Sequence, residues 1–171
     1  TPQPSLGNKN SKTMDTSSDI FDFELFPDQK VLIRFYRNVT NVVALRKKIL
    51  TRKLDAIAIN AKHVTSLDHI LLACNKSIFG HAKGTNKTKT INTEILYNLG
   101  PSTSINDSLK TFGIPQKNIE VMDIVFVILN PSEEKIVSLA TDVAGELTDL
   151  SNLAEVTDLD AIAKIFSIGD K

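Results

Sequence analysis

The chain has 171 residues, of which 42% are hydrophobic and 23% charged, a balance typical of a globular domain large enough to bury a core. Lysine plus arginine and aspartate plus glutamate both number 20, so the net charge favours no class of partner. No apolar run approaches the roughly 18 residues of a membrane span, and the single cysteine, Cys74, excludes an internal disulfide. Without a signal-peptide pattern at the start, these features fit a reducing compartment and no membrane contact.

Charge is distributed unevenly along the chain. Residues 30–53 carry eight basic side chains and no acidic one, whereas residues 132–171 carry nine acidic and three basic side chains. A basic surface can attract an anionic partner even when the net charge is zero. The alternative is a set of solvated helix faces that happen to be basic.

The first structural elements are predicted to follow a disordered leader. Residues 1–19 are rich in Ser, Thr, Asn, Pro and Lys, a composition that cannot form a core. Ile20–Phe26 alternates like a strand, Pro27–Gln29 predicts a turn, and Lys30–Tyr36 alternates again, so the two runs predict a hairpin. In the second run, one face carries Val31, Ile33 and Phe35, and the other carries Lys30, Leu32, Arg34 and Tyr36.

A helix, a short strand and a longer helix are predicted next. Asn41–Leu54 has helical spacing, and Asp55–Ile59 is a β-branched strand candidate. Ser66 then caps a strong helix with apolar residues at steps of three and four. Cys74 lies within its apolar stripe, where a small buried hydrophobe is expected rather than a nucleophile.

Two further helical segments are predicted before the last strand. Residues 93–99 fit either a helix or a strand, and we favour the helix. Ser104 or Asn106 caps a helix that Gly113 ends.

The carboxyl-terminal part of the chain completes a mixed pattern. Val121–Leu129 is almost continuously apolar, as expected of a central strand covered on both faces. Residues 132–143 and 157–166 have helical spacing, the second beginning with a weak capping box at Thr157. We therefore predict that residues 20–171 form a single α/β (mixed α+β) domain with a largely antiparallel central sheet flanked by helices.

Catalytic motifs are missing from the sequence. Residues 80–85 have the wrong spacing for a phosphate-binding P-loop, and neither a Gly-x-Ser-x-Gly elbow nor a His-Glu-x-x-His pair occurs. None of His63, His69 and His81 has a nucleophile, a carboxylate or a second metal ligand at motif spacing. We therefore predict no enzymatic activity, no metal and no cofactor. An enzyme built from residues scattered in the sequence, with a histidine as base, is the alternative.

Binding features are clearer, and the long helix carries the first of them. The side chains predicted to lie opposite its core stripe are Lys76, Lys83 and His69, flanked by Leu72 and Phe79. Either this helix is covered on both sides inside the domain, or its second face binds a partner.

The second binding feature is the loop that follows. Lys83, Lys87 and Lys89 alternate there with glycine, threonine and asparagine, a combination suited to phosphate contact. It equally suits an ordinary solvated loop, and no aromatic residue is interleaved for base stacking.

Several of these segments carry a resemblance to a known family. The runs concerned are Asn75-Lys76, Lys87 to Leu99, Ile105 to Lys110, and Phe112 to Ile114. They resemble the segment after the long helix in the TPRKB family, the PRPK-binding proteins of the KEOPS/EKC complex. Weaker similarity extends over residues 20 to 168.

The resemblance implies a small subunit of the cytoplasm and nucleus, without catalytic activity or cofactor. Members of the family bind the PRPK/Bud-type small atypical kinase, reach the other KEOPS subunits indirectly, and help to recruit tRNA by its 3′ CCA end. The complex makes threonylcarbamoyladenosine in tRNA through its other subunits. Family members usually continue past the segment that matches residues 164–168 into a final helix that supports the kinase, so the resemblance implies kinase binding more directly than kinase stimulation.

Carried onto matching positions, the resemblance gives candidates for RNA contact. It does not assign the kinase interface residue by residue, and the candidates there are apolar residues chosen from the long helix and the last helix. The RNA-binding candidates are Lys76, Lys83, Lys87, Lys89, Asn75 and Asn92, and the kinase-interface candidates are Leu72, Phe79, Ile162 and Phe166. Glu94 and Asn98 are expected to shape the lysine-bearing surface, or else to cap a helix and satisfy a turn. A stand-alone RNA-binding domain, whose affinity falls steeply with salt, is the alternative function.

Overall fold

A five-stranded antiparallel sheet forms the centre of the computed structural model, which describes residues 19–115 and 119–167. The strands are β1 (Ile20–Phe23), β2 (Phe26–Val39), β3 (Ile57–Asn60), β4 (Met122–Leu129) and β5 (Glu146–Thr148). Their order is β1-β2-β4-β3, and β5 pairs with the last part of β2 on the side away from β4. The predicted leader, apart from Asp19, lies outside the described residues.

Helices cover both faces of this sheet. They are α1 (Val42–Leu50), α2 (Leu67–Lys83), α3 (Ile91–Asn98), α4 (Ile105–Phe112), α5 (Glu133–Asp142) and α6 (Leu159–Ile165), with 3-10 turns at Ala61–His63 and Leu150–Glu155. One core cluster joins α2, α3 and α4 to one face, and a second joins α1 and α5 to the other. The predicted fold class, a mixed α/β fold with a largely antiparallel sheet, is confirmed.

Strand β2 shows why two cores form. Val31, Ile33 and Phe35 lie in the first core cluster, and Leu32 and Tyr36 lie in the second, as their alternation predicts. Burying a large apolar side chain stabilises a fold by about 1.5–3 kcal/mol, so a strand that is apolar on both faces belongs at the centre of a sheet.

The one charged residue on the buried part of β2 has its counter-charge nearby. Arg34 is buried, and its Nε lies 3.2 Å from Oδ2 of Asp19, just before β1. A buried guanidinium requires such partners because an uncompensated charge in the core is costly. The pairing of β1 with β2 therefore brings the start of the described chain onto Arg34.

The first hairpin forms as predicted, but its turn was placed wrongly. The turn lies at Glu24 and Leu25, and Pro27–Gln29 belongs to β2. The register passes from Asp22 opposite Lys30 to Phe23 opposite Phe26, so Pro27–Gln29 forms an irregular insertion in the ladder. Proline has no N–H to donate, and an unpaired position tolerates it.

Two other boundaries differ from the predictions. Helix α1 ends at Leu50 rather than Leu54, and Arg52 takes a positive φ of 61° as the chain turns away. The cap of α6 is Asp158, whose carboxylate accepts the N–H of Ala161 at 3.0 Å, and not Thr157. Thr157 instead donates its hydroxyl to backbone carbonyls.

Strand β5 was missed, because three residues are too few to show an alternating pattern.

In the part of the chain that the structure describes, every helix is too short or too polar to cross a bilayer.

Candidate partner-binding surface

Helix α2 carries the first part of the candidate site. The hydroxyl of Ser66 accepts the N–H of His69 at 3.3 Å and begins the helix as predicted. Gly84 ends it with a left-handed φ of 72°, and the N–H of Thr85 returns to the carbonyl of Gly80 at 2.8 Å. The loop that follows is thereby turned back against the last turn of α2.

Cys74 lies on the core side of α2. Its side chain is fully buried, and burial raises the pKa of the thiol to about 12. The thiolate is the reactive form of cysteine, so Cys74 is inert at neutral pH, as predicted for a small core residue.

The opposite face of α2 is open to solvent. Leu72 is 60% exposed and Phe79 is 49% exposed, and Lys76 and Lys83 are exposed beside them. These four residues, which we call the α2 strip, occupy positions i, i+4, i+7 and i+11 and therefore share one side of the helix. The sequence left open whether α2 is covered on both sides or has one open face. At the α2 strip the second face is open, so burial on both sides is excluded there.

Phe79 is held in place on this open face. The ring centroids of Phe79 and Phe26 are 6.5 Å apart in an edge arrangement. Nζ of Lys83 lies 5.7 Å from the centroid of the Phe79 ring. Contacts of these two kinds each stabilise the position of a ring by roughly 0.5–1.5 kcal/mol.

Glu94 organises the neighbouring segment, residues 84–90, which we call the lysine loop. This carboxylate on α3 is only 4% exposed. It accepts the N–H of Lys87 at 3.0 and 3.1 Å, and both the N–H and the hydroxyl of Thr88, at 2.8 and 2.9 Å. The lysine loop is therefore wrapped around an internal negative charge.

The protonation of Glu94 follows from these contacts. Burial alone would raise the pKa of the Glu94 carboxyl, but the N–H groups of Lys87 and Thr88, the hydroxyl of Thr88 and the nearby His81 outweigh it and hold this pKa below its ordinary value. The carboxylate is thus charged at neutral pH, and it shapes the lysine-bearing surface.

This arrangement limits what the lysine loop can offer a ligand. Because the N–H groups of Lys87 and Thr88 are taken by Glu94, they cannot wrap a phosphate as a P-loop does. The side chains of Lys87 and Lys89 remain exposed. The loop therefore presents ammonium groups to a partner, and these act as point charges.

The lysines of the α2 strip and the lysine loop have no carboxylate partner among the described residues. Within the described ranges, no salt bridge involves Lys76, Lys83, Lys87 or Lys89. In contrast, Lys48 on α1 pairs with Asp142 on α5 at 2.9 Å. The positive charge of the α2 strip and the lysine loop is thus able to attract an anionic group.

The polar candidates have more local roles. Asn75 and Asn92 are half-buried, and Nδ2 of Asn92 lies 3.4 Å from the Asp55 carboxylate. Asn98 donates its amide to the hydroxyl of Ser77 at 2.9 Å, which ties α3 to α2.

Two of the kinase-interface candidates lie inside or at the edge of the core. Ile162 is 6% exposed, so its side chain offers almost no surface to a partner in this conformation. Phe166 is half-buried, with its ring centroid 5.9 Å from that of His69. The exposed apolar residue of α6 is Leu159, at 74%. The helical spacing of residues 157–166 predicts buried positions for Leu159, Ile162 and Phe166. Ile162 is buried and Phe166 half-buried, but the prediction is wrong for Leu159.

His69 does not join the lysines, contrary to the helical projection. Its Nδ1 accepts the N–H of Thr65 at 3.2 Å, and Nε2 lies 2.6 Å from the carbonyl oxygen of Leu99. The end of α3 therefore covers a position that the α2 spacing alone would leave open. This contact comes from a distant segment and has no signal in the local sequence.

The two remaining histidines differ in their surroundings. His63 lies with Nδ1 2.6 Å from the carbonyl oxygen of Thr111, and His81 is exposed. Among residues 19–115 and 119–167, no group of three or more His, Cys, Asp or Glu side chains is placed to hold a metal ion.

Comparison with known proteins agrees with the resemblance of the central segment. The family model for "Kinase binding protein CGI-121" matches residues 36–171. The chain is 31% identical over 149 residues to the EKC/KEOPS complex subunit TPRKB of Danio rerio, covering 86% of this chain and 83% of that protein. It is 28% identical over 160 residues to the EKC/KEOPS complex subunit CGI121 of Debaryomyces hansenii, covering 85% and 81%.

A third relative, the EKC/KEOPS complex subunit cgi121 of Aspergillus fumigatus, is 30% identical over 147 residues, covering 81% of this chain and 77% of that protein. The family match includes the helix, the lysine loop and the buried glutamate described above. The chain belongs to the CGI-121 family of kinase-binding proteins.

Proposed function

We propose that this chain is the non-catalytic, kinase-binding subunit of an EKC/KEOPS complex in the cytoplasm and nucleus. In that role it binds the PRPK/Bud-type small atypical kinase directly and the other subunits through it. It also helps to hold tRNA by the 3′ CCA end for threonylcarbamoyladenosine modification. The match of residues 36–171 to a family of kinase-binding proteins carries the proposal.

The open face of α2 supports the binding part of this proposal. Exposed Leu72 and Phe79 lie on the same side of helix α2. Large apolar side chains that remain exposed in one place are typical of surfaces that another macromolecule covers.

The lysine loop supports the RNA part. Lys87 and Lys89 are exposed on a loop fixed by Glu94, and Lys76 and Lys83 add positive charge nearby. Phosphate contacts of this kind position a nucleic acid without reading its sequence.

Kinase binding is tested by mixing the purified chain with the small atypical kinase encoded in the same genome. Size-exclusion chromatography with light scattering should show a stoichiometric heterodimer at micromolar concentrations. Two separate peaks at those concentrations would contradict the proposal.

RNA binding is tested with the kinase complex and a tRNA that ends in CCA. The double variant Lys87→Glu and Lys89→Glu should lower tRNA affinity and reduce the slope of log affinity against log salt by about 0.7 to 0.9 for each phosphate that is no longer neutralised. The matched control is Lys47→Glu with Lys53→Glu, an equal charge change at positions in and after α1, across the sheet. Equal decreases in affinity from both doubles would remove the lysine loop from the proposal.

A stand-alone RNA-binding domain is the second candidate, because the lysines are exposed on the chain by itself. It is distinguished by the same two assays. It predicts tight, salt-sensitive tRNA binding by the chain alone together with no kinase heterodimer.

A further inference from the structure

The lysine loop is bound to the rest of the protein at its ends and at its middle. At its start the backbone bonds back to the last turn of α2, and at its end the hydroxyl of Thr90 caps α3. Between these anchors, the N–H groups of Lys87 and Thr88 donate to the Glu94 carboxylate at 2.8 to 3.1 Å. The middle of the loop is therefore bound to one carboxylate of α3.

The bonds to Glu94 hold the backbone on which both exposed lysines stand. Lys87 gives its own N–H to the carboxylate, and Lys89 directly follows Thr88, whose N–H and hydroxyl are both bound. Thr88 is only 8% exposed, so it supports the surface without forming part of it. A ligand that binds the two ammonium groups therefore orders lysine side chains but not the loop backbone, which lowers the entropy lost on binding.

The charge of Glu94 acts in the opposite direction. A carboxylate close to exposed lysines lowers the positive potential that attracts phosphates, so by charge alone its removal would strengthen RNA binding. Salt weakens this electrostatic effect, because charges more than about 8 Å apart are largely screened at physiological ionic strength. Salt does not reduce the entropy of a loop that has lost its anchor. The sign of the change in affinity therefore separates the two effects.

We propose that Glu94 is a positioning residue for RNA binding, an internal anion that holds Lys87 and Lys89 where they contact phosphates. The ligand is the phosphate backbone of RNA. Glu94 is only 4% exposed, so it affects the affinity for RNA without touching the RNA. This inference rests on the proposed RNA binding by the lysine loop.

The first test measures the affinity of the kinase complex for a tRNA that ends in CCA. Glu94→Gln should weaken binding at least about tenfold, because the freed loop must be ordered when the RNA binds. Glu24→Gln, which removes the same charge from the exposed turn of the first hairpin, should change the affinity by less than about twofold. Circular dichroism melting shows that each variant is folded at the temperature of measurement. Equal or tighter tRNA binding by folded Glu94→Gln would overturn the inference.

A double-mutant cycle tests whether Glu94 acts through the lysines. Lys87→Glu with Lys89→Glu should weaken tRNA binding by a smaller factor in the Glu94→Gln protein than in the unaltered chain, because the lysines there are no longer held in place. A general loss of stability would not produce this dependence. Equal factors in both backgrounds would show that Glu94 acts independently of the lysines, and the inference would be wrong.

A milder variant keeps the inference testable if Glu94→Gln does not fold. Thr88→Val removes the hydroxyl that lies 2.9 Å from the carboxylate and leaves the charge of Glu94 and the N–H bonds in place. It should weaken tRNA binding several-fold, because the loop loses one of its bonds to Glu94. Unchanged affinity in folded Thr88→Val would contradict the proposal.

The outcomes separate this inference from the proposed function. If the unaltered complex binds no tRNA, or if Lys87→Glu with Lys89→Glu leaves its affinity unchanged, the RNA part of the proposed function fails. If the lysine pair is required but Glu94→Gln binds tRNA as tightly as Glu24→Gln, the inference fails while the function stands.

Discussion

Glu94 lies where a charged side chain is seldom found, almost fully buried and, among the described residues, in no salt bridge with a cation. Its charge is compensated by backbone N–H groups of Lys87 and Thr88 and by a hydroxyl. The carboxylate thus occupies the position that a bound anion takes in a phosphate-binding loop. The loop geometry is set from inside the protein, before any partner arrives.

The first prediction concerns this carboxylate. Glu94→Gln replaces one accepting oxygen by an NH₂ group that faces other donors, so the free energy of unfolding at pH 7 should fall by about 2 kcal/mol. Because the folded-state pKa of Glu94 lies below its ordinary value of 4.5, the contribution is complete above that pH and disappears as the pH falls through the folded-state value. Urea titrations of both proteins at several pH values measure the difference.

The control for this experiment is Glu24→Gln, in the exposed turn of the first hairpin. Its effect should stay within about 0.5 kcal/mol at every pH. A stability difference between the unaltered protein and Glu94→Gln that does not narrow in acid would show that the charge of Glu94 is not what holds the loop.

The second prediction uses the close packing at Gly100. A Cβ at this position would lie 2.4 Å from Cε2 of Phe112, a fully buried ring, so Gly100→Ala should destabilise the fold by about 1–3 kcal/mol. The matched change Gly80→Ala meets nothing nearer than 3.7 Å and lies within α2, so it should be neutral or stabilising by up to about 1 kcal/mol. Thermal unfolding measures both. Equal melting temperatures for the two variants would contradict this account of Gly100.

At the residue scale, the sequence was informative wherever local periodicity decides exposure. Lys76 and Phe79 are exposed and Cys74 is buried, as the helical spacing indicated. It was misleading at His69, because the carbonyl of Leu99 that covers this ring comes from the end of α3. The contacts of Glu94 with the loop before it likewise depend on a turn whose path the sequence does not reveal.

Among the elements, strands and helices with a strong pattern were predictable, and their ends were less so. The apolar run of β4 predicted a central strand, and β4 does lie between β2 and β3. Pro27 was taken for a turn, but it lies in an unpaired part of β2, where a missing N–H costs nothing. Local sequence does not say which backbone groups have a partner strand.

The third prediction belongs to helix α6, which begins at a different cap from the one that the sequence favoured. Asp158→Ala removes the acceptor for the N–H of Ala161, so the protein should lose about 1 kcal/mol of stability. Asp160→Ala, in the first turn of the same helix, should cost about 0.5 kcal/mol or less, because it removes only a favourable dipole interaction. Chemical denaturation compares the two, and a larger effect at Asp160 would contradict the assignment of the cap.

For the molecule as a whole, the fourth prediction follows from helices on both faces of one sheet. Residues of β2 and β4 such as Phe35 and Val125 are fully buried, whereas β5 has three partly or fully exposed residues at an edge. Hydrogen exchange should therefore be slowest in β2 and β4, near the global unfolding limit, and faster in β5. Uniform exchange across the sheet would contradict this gradient.

The fold class could be predicted because it depends on the kinds of element present. The order of the strands could not, since β2 pairs with β4 from far along the chain and with the three-residue β5. The same holds for the open face of α2, whose exposure depends on where α3 and α4 pack.

The pairing of β2 with β4 also has a consequence during synthesis. Lys30 and Asn130 at the end of this ladder are hydrogen-bonded although they are 100 positions apart in the chain. Contacts between residues far apart in sequence slow folding. The chain must lose the entropy of closing a long loop before the contacts between the strands can stabilise it. While the ribosome is still making residues 40–120, β2 has no central partner, and its apolar segment from Val31 to Tyr36 is open to chaperones or to a neighbouring nascent chain.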